Sequence, residues 1–172
     1  MGATRRRRAG AVAAALAAAL FAGCATEPRE PMTTPDEDWR SVDLTVLDLG
    51  EQTLALVPVI IGDAGPHLFV LDTGASMTVL DEGLAGELGL PPTGRERPVS
   101  GVLGQQQATT VRVDRWRLGD IPLDAAEIAT IDLPDTGSGT ELRGLLGSDV
   151  LSRFGQIVVD YDADKLGLPA EG

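Results

Sequence analysis

Apolar residues in the chain fall into short runs that are separated by glycine, proline and charged residues. Residues 42–49 alternate apolar and polar side chains, which predicts a half-buried strand. The more continuous apolar segments 54–61 and 67–71 predict two buried strands, and Gly-Asp-Ala-Gly-Pro at 62–66 predicts a turn between them. This pattern is typical of an all-β domain.

The rest of the chain adds strands and two short helices. Asp81 is a helix N-cap candidate for a helix that runs through Leu88 and ends at Gly89. A second short helix is predicted at 148–154, and a tight turn near Gly119. Further strands are predicted at 77–80, 109–118 and 126–131, with a closing hairpin at 156–161 and 165–168.

The N-terminal segment has the composition of an export signal. Residues 1–8 end in four arginines, residues 9–22 are small and apolar, and Gly23 and Cys24 follow. The apolar run is shorter than the about 20 residues that a membrane-spanning helix needs. The ending Leu-Phe-Ala-Gly-Cys resembles the bacterial lipobox, which implies that Cys24 is lipidated and becomes the new N-terminus. An ordinary cleaved signal is the alternative.

These features divide the chain into three parts. We predict a lipoprotein signal peptide at 1–23, a proline-rich polar tether at 24–38 and one folded domain at 39–172. Lipidation of Cys24 implies a membrane-anchored protein of the bacterial cell envelope. Ala25 follows the cysteine where many inner-membrane lipoproteins carry aspartate, so the outer membrane is favoured in a host that has one.

Composition excludes several kinds of chemistry. Cys24 is the only cysteine, so no disulfide forms within the chain and the folded domain has no thiol. The net charge is −12, and removal of the arginine-rich signal makes the mature chain more acidic still. Such a surface repels phosphate backbones, so nucleic acid is not an expected partner.

The remaining polar motifs favour no cofactor and no metal. His67 is the only histidine, which excludes a histidine-rich zinc site, and its place beside a turn predicts polar surface. Asp160, Asp162 and Asp164 have the spacing of calcium ligands, but Lys165 stands where such a loop needs glycine. Trp116 and Phe154 lie within predicted elements, which favours a packing role.

The tripeptide Asp-Thr-Gly, the signature of one kind of protease, occurs twice, and its surroundings separate the two copies. Asp72 follows an apolar strand end and precedes a second apolar segment, whereas Asp135 follows Pro134 and runs into a polar, glycine-rich stretch. An aspartate between two buried strands suits acid–base chemistry, and an aspartate in a solvated loop does not. Gly74 permits a tight turn, and the Thr73 hydroxyl is expected to hold that turn by a hydrogen bond. Asp72 is therefore the candidate.

Two motifs in this order resemble the retropepsin-like aspartic proteases, in particular their bacterial single-domain members. The first is Phe-Val-Leu-Asp-Thr-Gly-Ala-Ser, which ends at Ser76. The second is the apolar-apolar-Gly motif Leu145, Leu146 and Gly147, which opens the predicted helix. The resemblance covers about residues 54–168. It implies a closed barrel of short strands with a flap hairpin at Val99, Ser100, Gly101, Val102, Leu103 and Gly104.

The resemblance also implies a mechanism. One aspartate from each of two chains forms a dyad that shares a proton and activates a water, which attacks a peptide carbonyl. Asp72 takes the catalytic position, and Thr73 and Gly74 take the positions that support the dyad. One credible carboxylate per chain, in a chain too short for two lobes, implies a homodimer that acts on polypeptide. Ser148 departs from the family, since typical retropepsins have arginine at this position.

Three functions are compatible with the sequence. The favoured one is an envelope-tethered aspartic endopeptidase that cuts extended polypeptide between apolar residues. The second is a peptide- or protein-binding lipoprotein module that has the same barrel and does not cut. The third is a structural envelope lipoprotein. An ionisable aspartate placed between buried strands favours the first, although a structural aspartate at a turn would look the same.

Overall fold

Short strands make up most of the computed structural model, which describes residues 39–50, 52–101 and 104–170. The strands are β1 (Trp39–Asp43), β2 (Thr45–Asp48), β3 (Thr53–Ile61), β4 (Ala64–Leu71), β5 (Val79–Asp81), β6 (Pro92–Gly101), β7 (Gly104–Val113), β8 (Trp116–Leu118), β9 (Ile121–Leu123), β10 (Ala126–Ile131), β11 (Gly144–Leu146), β12 (Val158–Asp160) and β13 (Lys165–Pro169). Helix α1 spans Glu82–Glu87, and helix α2 (Ser148–Leu151) continues into a 3₁₀ turn at Ser152–Phe154. The predicted signal, Cys24, the tether and the flap positions Val102 and Leu103 lie outside the described residues.

The strands form two sheets. The larger has the order β6-β7-β10-β5-β11-β4-β3-β8-β9, with β2 also paired to β3, and the smaller has the order β1-β13-β12. Strand β11 runs parallel to β4, and β10 runs parallel to β5, while the other pairs are antiparallel. The all-β class with short helices is confirmed, and the pairing of the described strands follows an open path.

Two predicted strands are each divided in the structure. The segment 42–49 forms β1 and β2 in different sheets, because the chain changes sheet at the buried Leu44, whose amide donates to Asp164 O at 2.9 Å. The segment 109–118 is interrupted after Val113, so that β7 pairs with β10 while β8 pairs with β3. Alternation in sequence reports which residues are buried and does not report a change of sheet.

Helix α1 follows the sequence signals closely. The Asp81 carboxylate accepts a hydrogen bond from Leu84 N at 2.9 Å, as an N-cap does. Gly89 has φ of 59°, a left-handed conformation that ends the helix without steric cost. The predicted helix at 148–154 and the closing hairpin β12–β13 are also present.

The apolar side chains form a main core and a smaller second cluster. Phe69, Leu80 and Leu118 lie in the main core and are fully buried. Trp116 is buried there too and donates from Nε1 to Asp124 O at 2.7 Å, and Phe154 packs against this core, so their predicted packing role is confirmed. The second cluster consists of Val79, Val99, Ala108 and Ala129. No helix in the described part of the chain is long and apolar enough to cross a membrane.

Candidate active site

Asp72 lies in a turn directly after β4, in the middle of the larger sheet. Its amide donates to Leu146 O at 3.0 Å, which continues the parallel pairing of β4 with β11. Its Oδ1 accepts hydrogen bonds from Gly74 N at 2.8 Å and Ala75 N at 3.1 Å. These bonds fix one carboxylate oxygen against its own turn, and the side chain is half-buried in a single chain.

Gly74 has the predicted role in this turn, whereas Thr73 does not make the predicted hydrogen bond. Thr73 is exposed, and the hydrogen bond predicted from its hydroxyl within the turn is absent among the described residues, while its support of a dyad stays a prediction. The Asp72 carboxylate holds the turn instead. A Cβ on Gly74 would lie 3.2 Å from Asp72 Oδ1, so a side chain here would crowd the carboxylate.

The motif Leu145-Leu146-Gly147 lies beside the Asp72 turn. Leu145 and Leu146 are in register with Val70 and Leu71 across the parallel pair of strands. The next residue, Ser148, donates its amide to Ala75 O at 2.8 Å. The structure therefore brings together the two motifs that the sequence keeps apart, as the resemblance implied.

Gly147 is required by a close approach of two backbones. A Cβ at this position would lie 2.5 Å from Met77 C and 2.6 Å from Met77 O. These are backbone atoms that cannot move aside as a flexible side chain could. The glycine of the motif therefore sets how closely the start of α2 approaches the segment after Asp72.

Sequence reasoning missed two residues that join the motifs. Asp149 Oδ1 accepts from Thr78 N at 2.9 Å and from Thr78 Oγ1 at 2.7 Å. Thr78 is buried, and its hydroxyl accepts from Gly147 N at 3.0 Å. The available signal was a threonine inside the apolar segment 77–80, where a hydroxyl needs a partner, together with an acidic residue two positions after Gly147.

The second Asp-Thr-Gly copy lies in the loop between β10 and β11. Asp135 is exposed, and its Oδ1 accepts from Gly137 N at 2.9 Å. Thr136 bonds within the same loop, to Ser138 Oγ at 2.6 Å and to Thr140 O at 3.1 Å. The predicted solvated loop is present, and none of these bonds reaches the Asp72 turn.

The predicted flap is a hairpin of β6 and β7, in which Gly101 pairs with Gly104. Val99 is buried in the second apolar cluster beside Val79 and Ala129. In this single chain the Val99 side chain packs against strands around the site, and its contact with a substrate stays a prediction. The side chains of Ser100, Gly101 and Gly104 are not among those described, and Val102 and Leu103 lie outside the described residues altogether.

His67 lies in strand β4, in agreement with the predicted strand at 67–71, but its side chain is less exposed than the polar surface position that the sequence predicted. It is half-buried, and its Nε2 is buried without a hydrogen-bond partner in the described part of the chain. Burial lowers the pKa of His67 below its ordinary value of 6.5, and the nearby Arg143 guanidinium lowers the pKa further. Arg143 in turn is paired with Glu87 at 2.7 Å and with Glu141.

The described residues offer no metal centre, and the linings of three surface recesses among them do not include Asp72. No group of three or more potential ligands from histidine, cysteine, aspartate and glutamate converges within them. Three surface recesses lie elsewhere, one lined by Asp81 and Asp135, one by His67 and Arg143, and one by Leu88 and Arg115. On one chain the candidate site is thus an open turn at the surface.

An aspartate fixed after a central strand, with an apolar-apolar-Gly motif paired alongside, is the arrangement that the resemblance to retropepsin-like aspartic proteases implied. The model of the family described as aspartyl protease matches residues 57–150, which include both motifs. The chain belongs to the aspartyl protease family.

The fold is that of the retropepsin-like proteins. The crystal structure of a retropepsin-like aspartic protease from Rickettsia conorii is similar to this chain with a TM-score of 0.50 and 18% sequence identity. The similarity covers 76% of this chain and 89% of that one. At this identity the likeness shows the fold alone. No curated protein matches the sequence.

Proposed function

We propose that this protein is an aspartic endopeptidase whose catalytic residue is Asp72. The observation that carries the proposal is the geometry of the Asp72 turn. Its carboxylate is fixed by two amides at 2.8 and 3.1 Å, and its backbone is bonded to Leu146 of the second motif at 3.0 Å. Membership of the aspartyl protease family supports the same chemistry.

The turn leaves one side of the carboxylate available for catalysis. Asp72 Oδ1 is occupied by the amides of Gly74 and Ala75, so Oδ2 is the oxygen that faces a water or a second carboxyl group. Two such carboxyl groups close together share one proton, since both cannot be ionised at once. The ionised aspartate takes a proton from the water while the water oxygen attacks the carbonyl carbon of the peptide bond. The protonated one hydrogen-bonds the carbonyl oxygen, and a proton passes to the leaving nitrogen as the C–N bond breaks.

The second carboxyl group comes from a second copy of the chain. Asp72 is half-buried and Thr73 is exposed on one chain, so the turn is accessible to a partner. The small sheet β1-β13-β12 supports association, because β1 and β12 are its two edges within the described chain and an edge strand can extend pairing to another molecule. A two-fold axis through the dyad would place the two Asp72 side chains opposite each other.

The substrate is an extended polypeptide with apolar residues beside the cleaved bond. Met77, Ile131 and Leu145 are only partly buried and pack against the second apolar cluster, which includes Val99 of the flap hairpin. Such side chains favour apolar groups on a bound peptide. An extended peptide can also pair with strand edges through its backbone.

The N-terminal segment supports a proposal for the location of the protein. We propose that Cys24 carries a lipid and holds the domain at the cell-envelope membrane, the outer membrane in a host that has two, through the tether at 24–38. Such anchoring confines the domain to a surface and raises the effective concentration of its copies, which favours a weak dimer.

The first test is cleavage of a peptide library by the purified chain from residue 24 onward, compared with Asp72→Asn and Asp135→Asn. We expect Asp72→Asn to lower the rate by roughly 10³-fold or more, because an amide cannot supply the general base. Asp135→Asn is the matched control, with the same tripeptide and the same substitution, and we expect it to retain full activity. A wild-type chain that binds peptides as a dimer without cutting them would favour the binding-module alternative.

Mixing the wild-type chain with Asp72→Asn tests whether the dyad is shared between copies. At equal amounts and with free exchange, about a quarter of the dimers contain two wild-type chains, so activity per wild-type chain falls to about half. Unchanged activity per wild-type chain would show that one copy is sufficient and would contradict the dimer.

A further inference from the structure

One oxygen of Asp149 is the acceptor for three hydrogen bonds. Its Oδ1 accepts from Thr78 N at 2.9 Å, from Thr78 Oγ1 at 2.7 Å and from Val150 N at 3.0 Å. The Val150 contact is local to α2. The two contacts to Thr78 span 71 positions of the sequence, so a purely local cap does not account for them.

Thr78 passes this connection on to the backbone of the second motif. Its hydroxyl donates to Asp149 and accepts from Gly147 N at 3.0 Å, which uses both its hydrogen-bonding capacities. Close by, Ser148 N donates to Ala75 O at 2.8 Å, and Asp72 N donates to Leu146 O at 3.0 Å. The segment 72–78, which carries Asp72, is thereby bonded to the end of β11 and to the start of α2.

We propose that Asp149 is a positioning residue that acts through Thr78 to hold the Asp72 turn in its catalytic geometry. The proposal rests on the proposed peptidase function. Carboxylates are strong hydrogen-bond acceptors, and Asp149 supplies the carboxylate in the described bonds between the two segments. Ser148 joins Ala75 through its backbone amide, so Asp149 supplies the side chain by which the described part of α2 is bonded to Thr78.

The test compares Asp149→Ala with Asp149→Asn. Asparagine keeps an oxygen that can accept from Thr78, and alanine does not. We expect Asp149→Ala to lower kcat by roughly 10 to 100-fold with little change in KM, since a small displacement of a catalytic group has an effect of this size. We expect Asp149→Asn to retain kcat within a few-fold. The double variant Thr78→Val with Asp149→Ala should have a kcat no lower than that of the less active single variant, because both substitutions remove the same hydrogen bonds.

A second readout separates this proposal from the proposed function. Amide hydrogen exchange at Gly74 and Ala75 reports the order of the Asp72 turn whether or not the chain cuts peptides. We expect faster exchange at both amides in Asp149→Ala and near wild-type exchange in Asp149→Asn. If the wild type does not cut peptides but the exchange changes as expected, the proposed function fails and the positioning role of Asp149 stands.

Asp160→Ala is the matched control. Asp160 Oδ1 also accepts from two backbone amides, Asp162 N at 3.0 Å and Ala163 N at 2.9 Å, in the hairpin far along the chain from Asp72. Asp160→Ala should change neither kcat nor amide hydrogen exchange at Gly74. Unchanged kcat and exchange in Asp149→Ala would overturn the proposal, and so would an equal loss of kcat in Asp149→Asn with the fold intact.

Discussion

The two Asp-Thr-Gly copies form the same local turn in very different surroundings. In each, the aspartate Oδ1 accepts from the amide of the glycine two residues later, at 2.8 Å for Asp72 and at 2.9 Å for Asp135. This is the turn that aspartate forms readily wherever it precedes a glycine at this spacing. The tripeptide therefore specifies the hydrogen bond of the turn and nothing beyond it.

What differs is the chain on either side. The Asp72 turn follows a strand in the middle of the larger sheet and is bonded to Leu146 and Ser148 of a distant segment. The Asp135 turn is exposed, and its neighbour Thr136 bonds only within the same loop. A catalytic carboxylate must be held in a fixed position, and only the first copy has the bonds to a second segment that fix it.

The largest expected effect comes from a substitution at Gly147, which would separate the start of α2 from the segment after Asp72. In Gly147→Ala the added Cβ would lie within 2.6 Å of two Met77 backbone atoms, so the backbone must shift. We expect a loss of about 1 to 3 kcal/mol in the free energy of unfolding and loss of most peptidase activity. Chemical denaturation and the cleavage assay measure the two effects.

Gly86→Ala is the control for that substitution. Gly86 lies in helix α1, and an added Cβ would meet nothing within 4 Å. Alanine is favoured over glycine within a helix, so stability should hold or rise by up to about 1 kcal/mol. A Gly147→Ala chain as stable and active as Gly86→Ala would show that the close approach is not needed.

The glycines of the two copies provide a sharper, two-sided comparison. In Gly74→Ala the Cβ would lie 3.2 Å from Asp72 Oδ1, so we expect activity to fall roughly 10 to 100-fold while stability changes by less than about 1 kcal/mol. Gly137 has φ of 68° with open space around it, so Gly137→Ala should lower stability by roughly 1 kcal/mol through backbone strain and leave activity unchanged. The reverse pattern would assign the functional turn to the second copy.

The smallest expected effect concerns His67, on the strand that leads to Asp72. Burial and Arg143, at the end of the second-copy loop, lower its pKa below 6.5, while Glu87 and Glu141 act weakly in the opposite direction. The folded chain then binds the proton less well than the unfolded chain. The contribution of neutral His67 to the free energy of unfolding is therefore complete above about pH 6.5 and is lost as the pH falls below that value.

Replacing the histidine isolates this contribution. His67→Gln has no titrating ring, so the midpoint of its urea unfolding should fall less than that of the wild type between about pH 7.5 and pH 5. The carboxylates titrate in both chains and cancel in the difference. If the unfolding midpoint changed equally with pH in the two chains, His67 would bind its proton equally well in the folded and unfolded states.

Much of the site was predictable because its signals are local. Apolar flanks separated Asp72 from Asp135, and Asp81 and Gly89 marked the two ends of α1 through capping chemistry that acts within one turn. Strands β9 and β11 were not predicted as strands, and β6 was expected only through the flap hairpin that the resemblance implied. Gly144–Leu146, for example, is too short for a periodic pattern and is a strand only because β4 and β5 lie on either side of it.

The sequence by itself determined the family, the candidate aspartate and most elements, because burial pattern, turn chemistry and motif order are encoded between near neighbours. Tertiary structure decided what holds that aspartate. Thr73 was expected to secure the turn and is exposed, whereas Thr78 and Asp149 join the two motifs across 71 positions. No local pattern specifies such a pair, since a buried hydroxyl and a carboxylate become partners only when strand pairing brings their segments together.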